Sequence, residues 1–317
     1  MTGLRVAIGL GFTELPFATA AEYWRWVDLC EQSGVDSLWQ TDRIVSAAPI
    51  LECMAAMAAL AGRTRRLKFG MNVVSLAMRD PVLLAKQCAT IDMLSEGRLL
   101  PGFGIGSPRA PEWAALGLDT ATRGRVTDEA LEIMALLFTG QPVTYAGRHF
   151  RLDGAQISPK PAQAELPMWI GGASAAAIRR TARYGTGWQA GPETPAQLAD
   201  VVAAIRAACA EAGRTIDEDH YGAAFPYRFG DPAEPGLARA KAAYAKRTGA
   251  DPDAYFAVGD AAVILDRIAA YIGAGAQKFI LRPLAGDGEE ALRQTRLLAE
   301  RVLPEVARRW PKPGRRG

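Results

Sequence analysis

The residues of this chain that could do chemistry are few, and they gather at the ends of apolar runs. The run Ser37–Thr41 stops on an adjacent acid and base, Asp42 and Arg43. A carboxylate there can move a proton, or it can pair with Arg43 or with a residue behind it and orient its loop. A guanidinium stays protonated at any working pH, so Arg43 is a poor general base but a good stabiliser of negative charge. Farther along, Gly171-Gly172-Ala173-Ser174 opens directly onto an amphipathic segment. Backbone N–H groups at a helix start, with no bulky side chain in front of them, form an anion site, and phosphate is its usual occupant. The same four residues also suit a tight turn with Ser174 as N-cap. The stretch GFGIGS, Gly102 to Ser107, looks like a dinucleotide fingerprint, but Arg109 takes its last glycine position. Its glycines read instead as a strand passing close to neighbouring backbone or to a flat ligand.

What is absent narrows the chemistry further. There are two histidines, His149 and His220, and neither has a metal-ligand spacing. His149 reads as an anchor of a hairpin. The four cysteines, Cys30, Cys53, Cys88 and Cys209, are far apart and read as reduced core or helix-surface residues. No GxSxG elbow or CxxC pair occurs. A site that is polar and cationic but short of acid–base groups calls for an organic cofactor to supply reactivity. The net charge of +3 carries no nucleic-acid signature, and the basic tail from Arg308 to Gly317 reads as a solvated terminus. With 49% hydrophobic and 22% charged residues, no long apolar run and no secretory signal pattern, the composition predicts a soluble cytoplasmic protein with no membrane segment.

These residues need elements to hold them, and the pattern alternates short apolar runs with longer amphipathic ones. It predicts strands at Leu4–Leu10, Ser37–Thr41, Leu67–Val74, Leu99–Ile105, Met168–Ile170, Gly187–Ala190, Tyr221–Phe229 and Lys278–Arg282. Helices follow at Ala20–Ser33, Pro49–Leu60, Pro81–Leu94, Arg123–Phe138, Ser174–Tyr184, Pro195–Ala212, Ala261–Ile272 and Gly288–Val306. Eight βα units imply parallel strands with right-handed crossovers, and they fit a (β/α)8 TIM barrel; an open doubly wound sheet stays open as the alternative. Two stretches break the rhythm: a Pro- and Gly-rich hairpin insertion at about 141–167, after the fourth helix, and a partly helical one at about 231–256, after the seventh strand. The domain reading is one barrel over residues 1–317. In such barrels the site lies at the C-terminal strand ends, where Asp42, Arg43 and the Gly171–Ser174 turn fall.

Four segments taken together, "SLWQTDR", "GMNVVSLAMRDPVLLAKQCATIDMLSEGRLLPGFGIG", "RVTDEALEIMALLFTGQPVTYAGRHFRLDGAQISPKPAQAELPMWIGGAS" and "TARYGTGWQAG", resemble the bacterial luciferase-like oxidoreductases. The resemblance implies a barrel, usually homodimeric, that holds FMN or the deazaflavin F420 and acts on a small organic molecule. It implies a monooxygenase using O2 and reduced FMN supplied by a partner flavin reductase, or else an F420-dependent hydride transfer; a non-catalytic flavin binder is the third reading. Carried over, Gly171, Gly172, Ala173 and Ser174 would touch the phosphate end. Asn72 and Val73 would lie behind the ring, at a place where the family often has a cis peptide bond, and Gly106 and Ser107 beside it. Gly187 and Trp188 match the family's Gly-Asp-Gly-Trp position, with Thr186 in place of the acid. The chain departs from the family where many members have Asp-His after the second strand and some have a glutamate after the fourth. Here those places hold Asp42-Arg43 and Ser107, which favours charge stabilisation over proton transfer.

Overall fold

The alternation read from the sequence is the alternation in space. The computed structural model describes residues 4–311, so most of the basic tail lies outside the described residues. Its core strands are Ala7–Phe12, Ser37–Gln40, Lys68–Ser75, Leu99–Gly104, Trp169–Gly171, Gly187–Gln189, Tyr221–Phe229 and Lys278–Pro283, each followed by helix. Two of the eight are interrupted. The third breaks between Met71 and Val74, around a cis peptide bond joining Asn72 to Val73. The fourth breaks at Pro101, which has no N–H for a ladder, while its carbonyl accepts from the N–H of Trp169 at 2.9 Å.

The chain forms two compact units. One comprises residues 1–12, 16–38 and 188–317. In it the first strand pairs in parallel with the last, from Ala7 beside Lys278 to Leu10 beside Leu281. The last pairs in parallel with the seventh, and the seventh with the sixth. Pairing of first with last is what a barrel needs and what the common doubly wound orders lack. Phe225, Phe279, Tyr271 and Leu10 fill this core without exposure. The second unit comprises residues 13–15 and 39–187, where the third, fourth and fifth strands pair in parallel in chain order.

Boundaries moved where hydrogen-bond partners overruled local pattern. The first strand starts at Ala7 because its ladder starts there, opposite Lys278. The second helix is Cys53–Arg63, not Pro49–Leu60, because the Glu52 carboxylate accepts from the N–H of Ala55 at 2.7 Å and caps it. The last helix divides into Gly288–Arg301 and Leu303–Arg309, with Pro304 in the first turn of the second piece. The first insertion carries the expected antiparallel hairpin, Val143–Ala146 with Arg151–Ala155, and the second a helix at Pro235–Thr248. A short helix at Glu112–Ala115 has no counterpart in the sequence pattern.

Candidate functional site

Nearly all the residues singled out above fall in the unit that contains strands three to five. At the end of the fifth strand, Gly171 leads into the helix Ala175–Tyr184, and the Ser174 hydroxyl caps it by accepting from the N–H of Ala177 at 3.2 Å. Gly172 has φ +102°, a conformation that L side chains rarely adopt. The turn borders a cavity of about 220 Å³, walled by Phe103, Ile105 and Ile170 and by Thr127 from the helix Arg123–Phe138. Thr127 is 1% exposed and its hydroxyl oxygen has no partner. Buried hydroxyls are nearly always hydrogen-bonded, so this one marks a place where a polar ligand atom belongs. Arg180 also borders the cavity, but its Nε donates to Asp128 at 2.6 Å and its Nη2 to the Gly124 carbonyl at 3.1 Å. A helix N-terminus, a turn kept free of side chains and an unpartnered hydroxyl together suit a bound anion such as a phosphate.

The glycines of the fourth strand have a packing reason. A Cβ on Gly102 would stand 2.3 Å from the Met71 carbonyl oxygen, and one on Gly104 would stand 2.6 Å from a Val73 methyl. The same valine lies 3.0 Å from where a Cβ of Gly171 would be. Val73 is thus seated among glycines of strands four and five, and Asn72 joins the second strand through its N–H to the Gln40 carbonyl at 2.9 Å. Gly106, at φ +71°, itself lies against the third strand: a Cβ on it would meet the Ser75 hydroxyl at 2.9 Å. The close approach to neighbouring backbone read from GFGIGS is present at Gly102, against the Met71 carbonyl.

Asp42 and Arg43 turn to different partners. Asp42 is paired with Arg79, which donates Nη1 and Nη2 to its two oxygens at 2.8 and 2.7 Å, and it also accepts from the N–H of Ser75 at 2.9 Å. The Asp42 side chain is 2% exposed. Arg79 reaches Glu52 as well, at 3.1 Å. Burial is the largest single influence on Arg79 and opposes its charge, but the hydrogen bonds and charges of Asp42 and its neighbours together outweigh burial and raise the pKa. The thiol of Cys53, 3.4 Å from Asp42, is pushed up by burial and then by the carboxylate's charge, so it stays protonated. Asp42, Glu52 and Cys53 have the spacing of a metal cluster, but Arg79 is already bound among them. Arg43 instead holds Glu112 through Nη1 at 3.4 Å from both oxygens. Glu112 is 3% exposed at its side chain and belongs to the short helix after strand four, whose next residue, Trp113, donates its indole N–H to the Ser107 carbonyl at 2.7 Å.

Gly187 and Trp188 lie in the sixth strand and are buried; Trp188 belongs to the other unit, beside Tyr221. Thr186, in the family's acid position, accepts the N–H of Met168 at 2.8 Å. Sequence reasoning missed Glu112 and Thr127. An acid beside a tryptophan in the loop after strand four could have flagged Glu112; nothing in the sequence distinguishes Thr127 from any other helical threonine.

A family model described as luciferase-like monooxygenase matches residues 6–279. A 4-hydroxyprotoasukamycin monooxygenase of Streptomyces nodosus subsp. asukaensis is 31% identical over 227 residues, 68% of this chain and 61% of that protein. The chain spans 57% to 61% of the length of curated relatives it matches. Among solved structures, the monooxygenase RslO1 of Streptomyces bottropensis superposes with a TM-score of 0.82 at 22% identity, covering 95% of this chain and 100% of that one. An F420-dependent secondary alcohol dehydrogenase does so at 0.79 and 21%, covering 96% and 99%. Likeness of this extent establishes the fold as the luciferase-like (β/α)8 barrel.

Proposed function

We propose that this chain, which belongs to the luciferase-like monooxygenase family, is an FMN-dependent monooxygenase acting on a small organic molecule. The observation that carries this is the cavity at the Gly171–Ser174 helix start, with the unpartnered Thr127 hydroxyl in its wall. The 31% identical relative named as a monooxygenase favours oxygen chemistry over hydride transfer.

When bound, reduced FMN would supply the electrons with which O2 places one oxygen atom in the substrate and the other in water. The chain's own residues position and shield. The helix N-terminus and Thr127 would hold the phosphate, with Gly172 leaving room for it. Asn72, Val73, Gly106 and Ser107 would border the ring end. Asp42 acts as a positioning residue: through Arg79 and the N–H of Ser75 it fixes the end of strand three. Arg43 supplies positive charge on the rim while Glu112 orients it. Apolar walls such as Phe103 and Ile170 keep water out, which strengthens every polar contact inside.

The test is the spectrum of the cofactor that copurifies, followed by turnover of reduced FMN with and without O2. Product that requires O2 supports the proposal. Oxidation of F420H2 in the absence of O2 would move the chain to the deazaflavin reading, and saturable FMN binding with no turnover across substrate panels would make it a binder.

A further inference from the structure

A second cavity, of about 350 Å³, lies in the same unit between the loop after strand three, the loop ahead of the helix Arg123–Phe138 and the tip of the insertion hairpin. It shares no lining residue with the cavity at the Gly171–Ser174 turn. Met78, Leu118, Val126 and Phe150 give it apolar walls. Arg123 and His149 bring polar groups to it, and both carry an atom without a partner: Nε of Arg123 and Nε2 of His149 are shut away from solvent and bonded to nothing in the protein. An unmet buried polar atom costs about 1–3 kcal/mol, and two in the lining of one cavity are unusual enough to need a reason.

The acids around this cavity are already engaged, and so is Arg79, which holds Asp42 and Glu52, but Arg123 pairs with none of them. Asp80 accepts from the N–H groups of Val82 and Leu83 at 3.0 and 2.9 Å, capping a helix. Asp119 accepts from the N–H of Ala121 at 2.8 Å. Glu129, one turn beyond Val126 on the same helix, accepts from the N–H groups of Arg148, His149 and Phe150 at 2.9, 2.9 and 3.1 Å. That clamp fixes the hairpin tip, so His149 is held in place by its backbone while its imidazole is left available. Arg123 meets only the Thr120 carbonyl, from Nη1 at 2.8 Å, and has no ion pair among the described residues. What is missing is an acceptor carrying negative charge, and the walls ask for an apolar body behind it.

We propose that this cavity is a binding site for a small organic carboxylate, whose acid group takes the bonds that Arg123 and His149 lack and whose apolar part lies against Leu118, Val126 and Phe150. Arg79 lines the same cavity on one side and holds Asp42 on the other, so an occupant would touch the residue that fixes the end of strand three. The site is separate from the proposed cofactor cradle and does not depend on which cofactor fills it.

The experiment measures binding to the full chain of matched acid and amide pairs (acetate and acetamide, benzoate and benzamide, octanoate and octanamide), by calorimetry and by the shift in Tm. At least one acid should bind tenfold or more tightly than its amide, and Arg123→Gln and His149→Phe should each reduce that preference at least fivefold. Leu118→Trp, which fills the cavity from a partly exposed position, should abolish acid binding without touching either polar group. Equal affinity for every acid and its amide overturns the proposal, as does a preference that survives Arg123→Gln and Leu118→Trp. FMN affinity is measured on the same variants. Loss of acid binding with FMN binding intact is the expected pattern; loss of both together would place the acid at the cofactor site and sink the separate one.

Discussion

Replacing Asp42 with Ala tests whether this carboxylate holds the rim together. The structure sets the size of the effect. Asp42 is 2% exposed and takes both Nη groups of an Arg79 that is itself 12% exposed. Removing one member of a buried pair costs about 3–5 kcal/mol, because the partner stays buried without its counter-charge. Arg79 keeps Glu52 at 3.1 Å, but that carboxylate is 46% exposed and screened, which argues for the lower end of the range. The N–H of Ser75 also loses its acceptor, for about 1 kcal/mol more. The total of about 4 kcal/mol corresponds to a fall in Tm of roughly 10 °C for a chain of this size. Asp42→Leu combined with Arg79→Met removes both charges at similar volume and should recover at least half of the loss. Urea and thermal unfolding of the two singles and the double measure the coupling. A loss under about 1 kcal/mol for Asp42→Ala, or a double variant no more stable than the worse single, would refute the assignment of Asp42 as the holder of this rim.

Three further expectations concern the cofactor cradle, the second rim pair and acid stability. Gly172→Leu puts a side chain at φ +102° and into the cradle, and FMN affinity should fall at least tenfold; Thr127→Val should weaken FMN by about tenfold at little cost to apo stability, since it removes an unmet hydroxyl. Unchanged titrations for both would remove the phosphate assignment. Arg43→Ala leaves the buried Glu112 unpaired and should cost about 1–3 kcal/mol, recovered by adding Glu112→Gln; turnover that stays low in the recovered double variant would show Arg43 acting on the reaction as well as on its partner. Glu290 is held at about 2, first by hydrogen bonding from Arg293 and also by Gln294 and Arg228. A depressed carboxylate stabilises the fold above its unfolded pKa, so this contribution is whole above pH 4.5 and disappears as pH falls toward 2. A Tm profile of Glu290→Gln that parallels wild type through that window would contradict it.

Much of the architecture could be read before any coordinates. Period and punctuation suffice for eight βα units, because each strand must be apolar enough to bury and each helix must turn one apolar face inward. Capping chemistry is local too, which is why Asp80, Ser174 and Thr194 stand where the sequence places helix starts. The family resemblance also carried the cis bond at Asn72-Val73 to its place. The site was legible only in outline. The sequence locates Asp42-Arg43 at a strand end but cannot choose their partners, since Arg79 lies 37 positions away and Glu112 lies 69 positions from Arg43.

Thus the amino-acid order by itself determined the rhythm of the barrel, the place of its rim and the turn suited to an anion, because those depend on neighbours within a few residues. Which guanidinium answers which carboxylate was decided only by folding, which brings three strand ends together and leaves Asp42 with Arg79 and Arg43 with Glu112. The same holds for Thr127, Arg123 and His149: their unmet atoms become visible only once burial has removed water as the default partner.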